Sequence, residues 1–175
     1  LVEHTHFNDP EKREHIRRLL IRAAQQKTIP IVNYNDPVSD EENRKMELAI
    51  RRSHGDQVVE CVDNDETAAV IANLVHAKKL VLMTSTEGIY RDPADPKTLV
   101  EQVTAKSMEE LEEKVRQLQE SCVGASRAGA NGAKAKLEYA LKSARQGTMV
   151  IIGHARHRLS DLVEGRVACT RIGLE

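Results

Sequence analysis

The sequence predicts an α/β sandwich with a mostly parallel sheet, and three observations carry that reading. Apolar residues recur at three and four in several stretches, as one face of a helix requires, and these stretches alternate with short β-branched or wholly apolar runs. The runs at 79–83 and 148–152 lack the polar alternation of a half-exposed strand, so they read as strands covered on both faces. No internal repeat, low-complexity tract or Pro/Gly-rich linker divides the 175 residues, so the alternation belongs to one domain spanning 1–175.

The elements follow in order. Pro10 to Gln26 is an amphipathic helix with Ile16, Leu19, Leu20 and Ala23 on its apolar face, and Ile29-Pro30-Ile31-Val32 is a short strand behind it. Glu41 to Arg52 repeats the helical pattern, Gln57 to Cys61 is apolar and strand-like, and Glu66 to His76 is a third helix. Lys79 to Met83 is a buried strand. Ser107 to Ser121 and Ala133 to Arg145 are helices, Thr148 to Ile152 is a buried strand stopped by Gly153, and a short helix around Leu159 to Val163 precedes Arg166 to Cys169.

Composition narrows the function. Charged residues make up 30% and aromatics only 2%, so Ile, Leu, Val and Ala must supply the core. A net charge of −1 gives no broad basic field, which argues against nucleic acid or an anionic membrane as partner. No apolar run approaches the roughly eighteen residues of a membrane span. Cys61, Cys122 and Cys169 are scattered and odd in number, which speaks against a disulfide framework and a zinc knuckle and for a reducing cytoplasm. The first residue is Leu1 and not Met, so the chain is expected to be a processed or cut piece of something longer.

In an open parallel sheet, ligands gather where strands lead into helices. Four such places stand out. Asn33-Tyr34-Asn35-Asp36-Pro37 follows the first strand, and it reads equally as a polar turn or a ligand segment. Asp63-Asn64-Asp65 opens the third helix, where an acid can cap free N–H groups or hold a lysine or a metal ion. Thr84 to Tyr90 puts hydroxyls and Gly88 at a strand end, with Asp92-Pro93 beyond. Gly129 to Lys136 opens a helix with glycines and carries Lys134 and Lys136 in its first turn or so, which suits phosphate. It is not a Walker loop, because Ala130-Asn131 stands where that motif needs Lys and Ser or Thr.

The four segments together resemble the amino-acid kinase family, most closely its glutamate 5-kinases. Pro30 to Asp36 resembles the segment "PIxNEND", and Asp63-Asn64-Asp65 followed by Ala68, Ala69 and Ala72 resembles "GDNDxLSA". "LVLMTSTEGIY" at 80–90 is similar to "LLLTDxDGLY", "GANGAKAKL" at 129–137 to "GTGGMxTKL", and the tail from Val150 to "VIANGxxxxxLxxLLxGxxxGT". The order of the segments is more specific than any one of them.

This resemblance implies a three-layer α/β/α sandwich and an ATP-dependent phosphotransferase that takes Mg2+ with its nucleotide and acts on a small carboxylate acceptor, as a cytoplasmic homo-oligomer. It implies that Asp65 organises catalytic lysines and Lys136 neutralises charge on the transferred phosphoryl. By the same resemblance Asn33, Asn35, Asp36 and Asn64 face the acceptor, Thr84, Ser85, Gly88 and Tyr90 border the nucleotide, and Gly129 and Gly132 offer backbone donors to the phosphates. Magnesium is expected to be held by phosphates and water, with no dedicated protein metal site.

The chain also departs from the pattern. Nothing in Leu1 to Val32 resembles the family's "KxGGS"-like opening, so the N-terminal Lys/Gly segment is expected to be missing, and Asp40 to Arg52 is an insertion near the acceptor side. Ser85 and Ala133 stand where many relatives have Asp and Met. Two alternatives therefore remain: a uridylate kinase-like nucleoside monophosphate kinase, and a non-catalytic nucleotide- or anion-binding protein of the same fold. Outside these segments, His154 and His157 read as a solvated surface pair, and Glu109 to Arg116 as a solvated helix face.

Overall fold

The computed structural model describes residues 1–33, 64–121 and 132–175. They fall into two compact units, Leu1–Val75 and His76–Glu175. The helix expected at 41–52 and the strand at 57–61 lie outside the described residues.

The first unit is built around the chain's single phenylalanine. Phe7 sits on the short α1 (His4–Asn8) and is fully buried with Val2, against Ile16, Val32, Val70, Ile71 and Leu74. Asp9 ends α1 and caps α2 (Pro10–Gln25), accepting the N–H groups of Glu11 at 2.9 Å and Lys12 at 3.1 Å. Pro10 takes the first helical position, where its missing N–H leaves nothing unpaired. α2 is shallower than its periodicity implies. None of its residues is fully buried, and Leu19 is half exposed. α3 (Asn64–Leu74) buries Glu66, Thr67, Ala69 and Ala72, and its first-turn acids Asp65 and Glu66 complement the positive end of the helix dipole.

The expected strand at 29–32 is not one. Ile29 and Ile31 are 90% and 94% exposed, Val32 turns into the Phe7 cluster, and the local link is the N–H of Val2 donating to the carbonyl of Asn33 at 2.9 Å. Pro30 has no N–H to give a ladder, which disfavours pairing on its side. The alternation is present without a partner strand among the described residues.

The second unit holds a four-stranded sheet in the order β1-β5-β6-β4, with β1 (Lys79–Thr84), β4 (Gln102–Ala105), β5 (Met149–His154) and β6 (Thr170–Leu174). β1 runs parallel to β5 and β4 parallel to β6, while β5 meets β6 antiparallel. β2 (Ile89–Tyr90) and β3 (Leu99–Val100) form a separate antiparallel ribbon. On β5, Val150, Ile151 and Ile152 are successive and wholly buried, so both faces of the central strand are covered.

The helices do the covering. α6 (Leu159–Glu164) packs Leu162 against Ile151 and Cys169. Gly153 faces the same helix so closely that a Cβ there would lie 2.3 Å from Leu162 Cδ2, which is why the strand continues through a glycine. α4 (Met108–Ser121) and α5 (Ala133–Ala144) pack on β4, β5 and β6, burying Leu111, Val115 and Leu118 from one and Leu137, Ala140 and Ala144 from the other. This is the α/β sandwich that the alternation predicted. The outer face of α4 carries the expected opposite-charge pairs, Lys114–Glu110 at 2.7 Å and Arg116–Glu120 at 3.4 Å. Lys114 also donates to the carbonyl of Thr104 at 2.8 Å, tying the helix to β4. No described helix is long and apolar enough to cross a membrane.

Candidate functional site

The parallel pair β1 and β5 fixes where the second unit's candidate residues meet. Thr84 and His154 are register partners at the carboxyl ends of the two strands, and the N–H of Ala155 continues the ladder to the carbonyl of Thr84 at 2.8 Å. The loop leaving β1 therefore lies beside the loop leaving β5. Thr84 is half-buried and Ser85 is exposed, so both hydroxyls belong to the rim of the sheet.

Two anchors hold the loop after β1. At its far end Gly88 is buried, and a Cβ there would come within 2.4 Å of Thr170 Oγ1 and 2.9 Å of the Thr170 nitrogen. The close approach made by this glycine is to the protein itself. Ile89 N–H donates to Thr170 Oγ1 at 2.8 Å, and that hydroxyl donates to the carbonyl of Val100 at 2.6 Å, so Thr170 stitches β6 to both strands of the ribbon. Tyr90 follows, paired with Leu99.

The second anchor is Glu87. Its carboxylate, 17% exposed, accepts from the Arg156 guanidinium and lies 2.6 Å from His157 Nε2. His154 Nδ1 in turn accepts the N–H of Arg156 at 3.0 Å. Burial alone raises the carboxyl's proton affinity, but the His157 hydrogen bond and the charges of Arg156, His157 and His154 outweigh it and hold Glu87 below the usual range. The reading of His154 and His157 as a solvated pair needs correcting: the His157 side chain is only 20% exposed and is paired with an acid 70 positions away. Helical spacing on one element cannot reveal a partner on another loop.

α5 supplies the other candidate feature of this unit. Gly132 is its N-cap, with no side-chain cap bond, and the carbonyl of Gly132 accepts the N–H of Lys136 at 3.3 Å. A glycine cap has no side chain to accept the first amides, which have no intrahelical acceptor either, and Lys134 and Lys136 stand in the first turn or so. Gln119 fixes the helix start by donating to the carbonyl of Lys134 at 3.0 Å. Gly129 lies outside the described residues.

The remaining candidates belong to the first unit. Asn33 is exposed with its carbonyl engaged by Val2, Asn64 is exposed at the start of α3, and Asp65 is half-buried in the first turn. Asn35 and Asp36 lie outside the described residues. Glu87, Arg156 and Thr170 were not singled out by the sequence, and only the spacing of Gly88 from the strand end hinted at a constrained loop. Among the described residues no three His, Cys, Asp or Glu side chains converge as metal ligands.

Comparison with known proteins gives these features a family. The sequence profile of the Amino acid kinase family matches residues 2–154. The glutamate 5-kinase of Geobacillus kaustophilus is 29% identical over 177 residues, covering 99% of this chain and 42% of that protein. Glutamate 5-kinase 1 of Bacillus subtilis is 30% identical over 95% of this chain and 41% of its own length. The chain thus spans about two fifths of the length of these relatives. Among solved structures, a carbamate kinase from Giardia lamblia bound to AMP-PNP matches with a TM-score of 0.50 at 19% identity, over 68% of this chain and 34% of that one. A structure from Aeropyrum pernix K1 matches with the same TM-score and identity over 91% of this chain and 45% of its own. At that identity the likeness is one of fold.

Proposed function

The chain belongs to the amino acid kinase family, and on that premise we propose that it takes part in ATP-dependent phosphoryl transfer to a small carboxylate, glutamate or a related amino acid, as a cytoplasmic homo-oligomer. The acceptor carboxylate oxygen attacks the γ-phosphorus, the bond to the β–γ bridging oxygen breaks, and ADP leaves as an acyl phosphate forms. Such transfer asks the protein for positioning and electrostatic stabilisation, and for little covalent chemistry.

The observation that carries the reading is the opening of α5, where a glycine cap without a side-chain cap bond and two lysines form an anion-seeking helix end in a chain of this family. In this reading Gly129 and Gly132 let backbone N–H groups approach the phosphates, and Lys136 offsets charge on the moving phosphoryl. Thr84, Ser85, Gly88 and Tyr90 border the nucleotide. Asp65 orients the catalytic lysines, and Asn33, Asn35, Asp36 and Asn64 face the acceptor. Magnesium would be bound mainly through phosphate oxygens and water.

Calorimetric titration of the 175-residue chain with magnesium and ATP tests the nucleotide half. Binding at millimolar concentration or tighter, with a rise in Tm, is expected, because a ligand that selects the folded state stabilises it. No heat and no shift would remove the reading. The acceptor half is tested by ADP release from a protein of the relatives' full length, offered glutamate, aspartate, acetylglutamate and uridylate. Glutamate or another small acid should turn over fastest, and a preference for uridylate would overturn that assignment.

A further inference from the structure

We propose that Glu87 and His157 are positioning residues for the nucleotide: their pairing locks the loop after β1 to the loop after β5, so that the rim hydroxyls of Thr84 and Ser85 are already in place when the nucleotide arrives. This rests on the nucleotide reading above. The loop is short of other restraints. Between Thr84 and Gly88 the internal side-chain bond is Thr86 Oγ1 donating to the carbonyl of Gly88 at 3.0 Å, and Ser85 and Thr86 are both exposed. The Thr170 stitch fixes the far end, and the β ladder fixes the near end. What lies between is held to its neighbour by the Glu87 carboxylate.

The chemistry of the pair favours geometry over bulk stability. Glu87 is mostly withdrawn from water and compensated by His157 at 2.6 Å and by Arg156, whose side chain remains 64% exposed. An ion pair placed so is a poor source of net stability, since desolvation consumes most of its attraction. It is, however, a stiff and directional link between two loops that start from adjacent parallel strands. It also sets a negative charge beside the rim assigned to an anionic nucleotide, a cost in affinity that only a positioning gain offsets.

That sign makes the proposal testable. On charge alone, Glu87→Ala should tighten ATP binding, because it removes a negative group and releases Arg156, His157 and His154 toward the anion. If positioning dominates, the same change weakens binding. We expect Glu87→Ala and His157→Ala each to raise the Kd of the 175-residue chain for magnesium–ATP about tenfold. The double variant should be no weaker than either single one, because both break one link. Glu87→Gln keeps an oxygen of the same reach and should recover most of the loss, and Tm recorded alongside separates loosened loops from unfolded protein. Equal or tighter binding by a folded Glu87→Ala or His157→Ala protein overturns the proposal and leaves the nucleotide reading standing. Failure of the unaltered chain to bind ATP overturns both.

Discussion

The hydroxyl of Thr170 accepts the backbone N–H of Ile89 at 2.8 Å across 81 positions of sequence, and passes its own proton to the carbonyl of Val100 at 2.6 Å. One side chain at the start of β6 therefore satisfies a donor and an acceptor on the ribbon. Thr170→Val keeps the shape and strands both groups, so it should cost about 2 kcal/mol or more in urea unfolding. Thr170→Ser retains the hydroxyl and should lose about 1 kcal/mol or less, the price of a methyl group.

Asp65 separates a catalytic role from a helix-end role. Its helix starts at Asn64, so the carboxylate lies in the first turn, where a charge favours the helix by about 0.3–1 kcal/mol. If that were all, Asp65→Asn would shift stability slightly and leave the rate alone. In a protein of the relatives' full length we expect kcat to fall about a hundredfold, near 3 kcal/mol of transition-state stabilisation, with ATP affinity little changed. Steady-state kinetics beside a melting curve decides between the two.

Ser143 offers a gain. Its side chain is wholly buried on α5, and its hydroxyl has no hydrogen-bond partner among the described residues. Ser143→Ala removes a polar group from an apolar setting without opening a cavity larger than one atom, and should stabilise by up to about 1 kcal/mol. A lower Tm would mean that the hydroxyl is satisfied after all.

Acid should loosen α2 through Glu14. Hydrogen bonds from Arg17 and Arg18, the first being the larger cause, lower its pKa from 4.5 to about 2. A depressed carboxylate pKa gives stability that is full above the unfolded value and is lost as pH falls through the folded one. The window is therefore pH 4.5 down to about 2. Circular dichroism melts of wild type and Glu14→Gln should differ at pH 6 and converge near pH 2. The difference isolates Glu14 from Glu87, Glu109, Glu110 and Glu113, which are depressed as well.

The elements visible beforehand were those whose pattern is local. Thr148 to Ile152 and Lys79 to Met83 could be placed within a residue or two because their apolar runs are continuous. Only the first is covered on both faces: among the described strands β1 lies at the sheet edge, with Leu82 buried while Lys79 and Met83 are exposed, so the expectation of a buried strand there fails. α4 and α5 likewise followed from their repeats. The ribbon of β2 and β3, two residues each, is too short for a period, and β6 contains Arg171 and Gly173, which hide its strand character. Ile29 to Val32 had the residues of a strand but no partner among the described ones, and pairing is not a property of one segment. For the candidate site, strand ends and glycines were legible, whereas Glu87, His157 and Thr170 act through contacts 70 or more positions away.

The antiparallel meeting of β5 and β6 has a practical consequence for attaching the molecule to a surface. β1 and β5 finish at one rim of the sheet, while β6 finishes at the rim where they begin, with Leu174 two residues past the Val150–Ile172 register. At about 3.3 Å per residue, Glu175 lies on the order of 23 Å from the Thr84 rim along the strand direction. A biotin or a dye joined at Glu175 would hold the protein by its far edge and leave the Thr84 and His154 loops facing the solution, so immobilised binding assays can use that end as a handle.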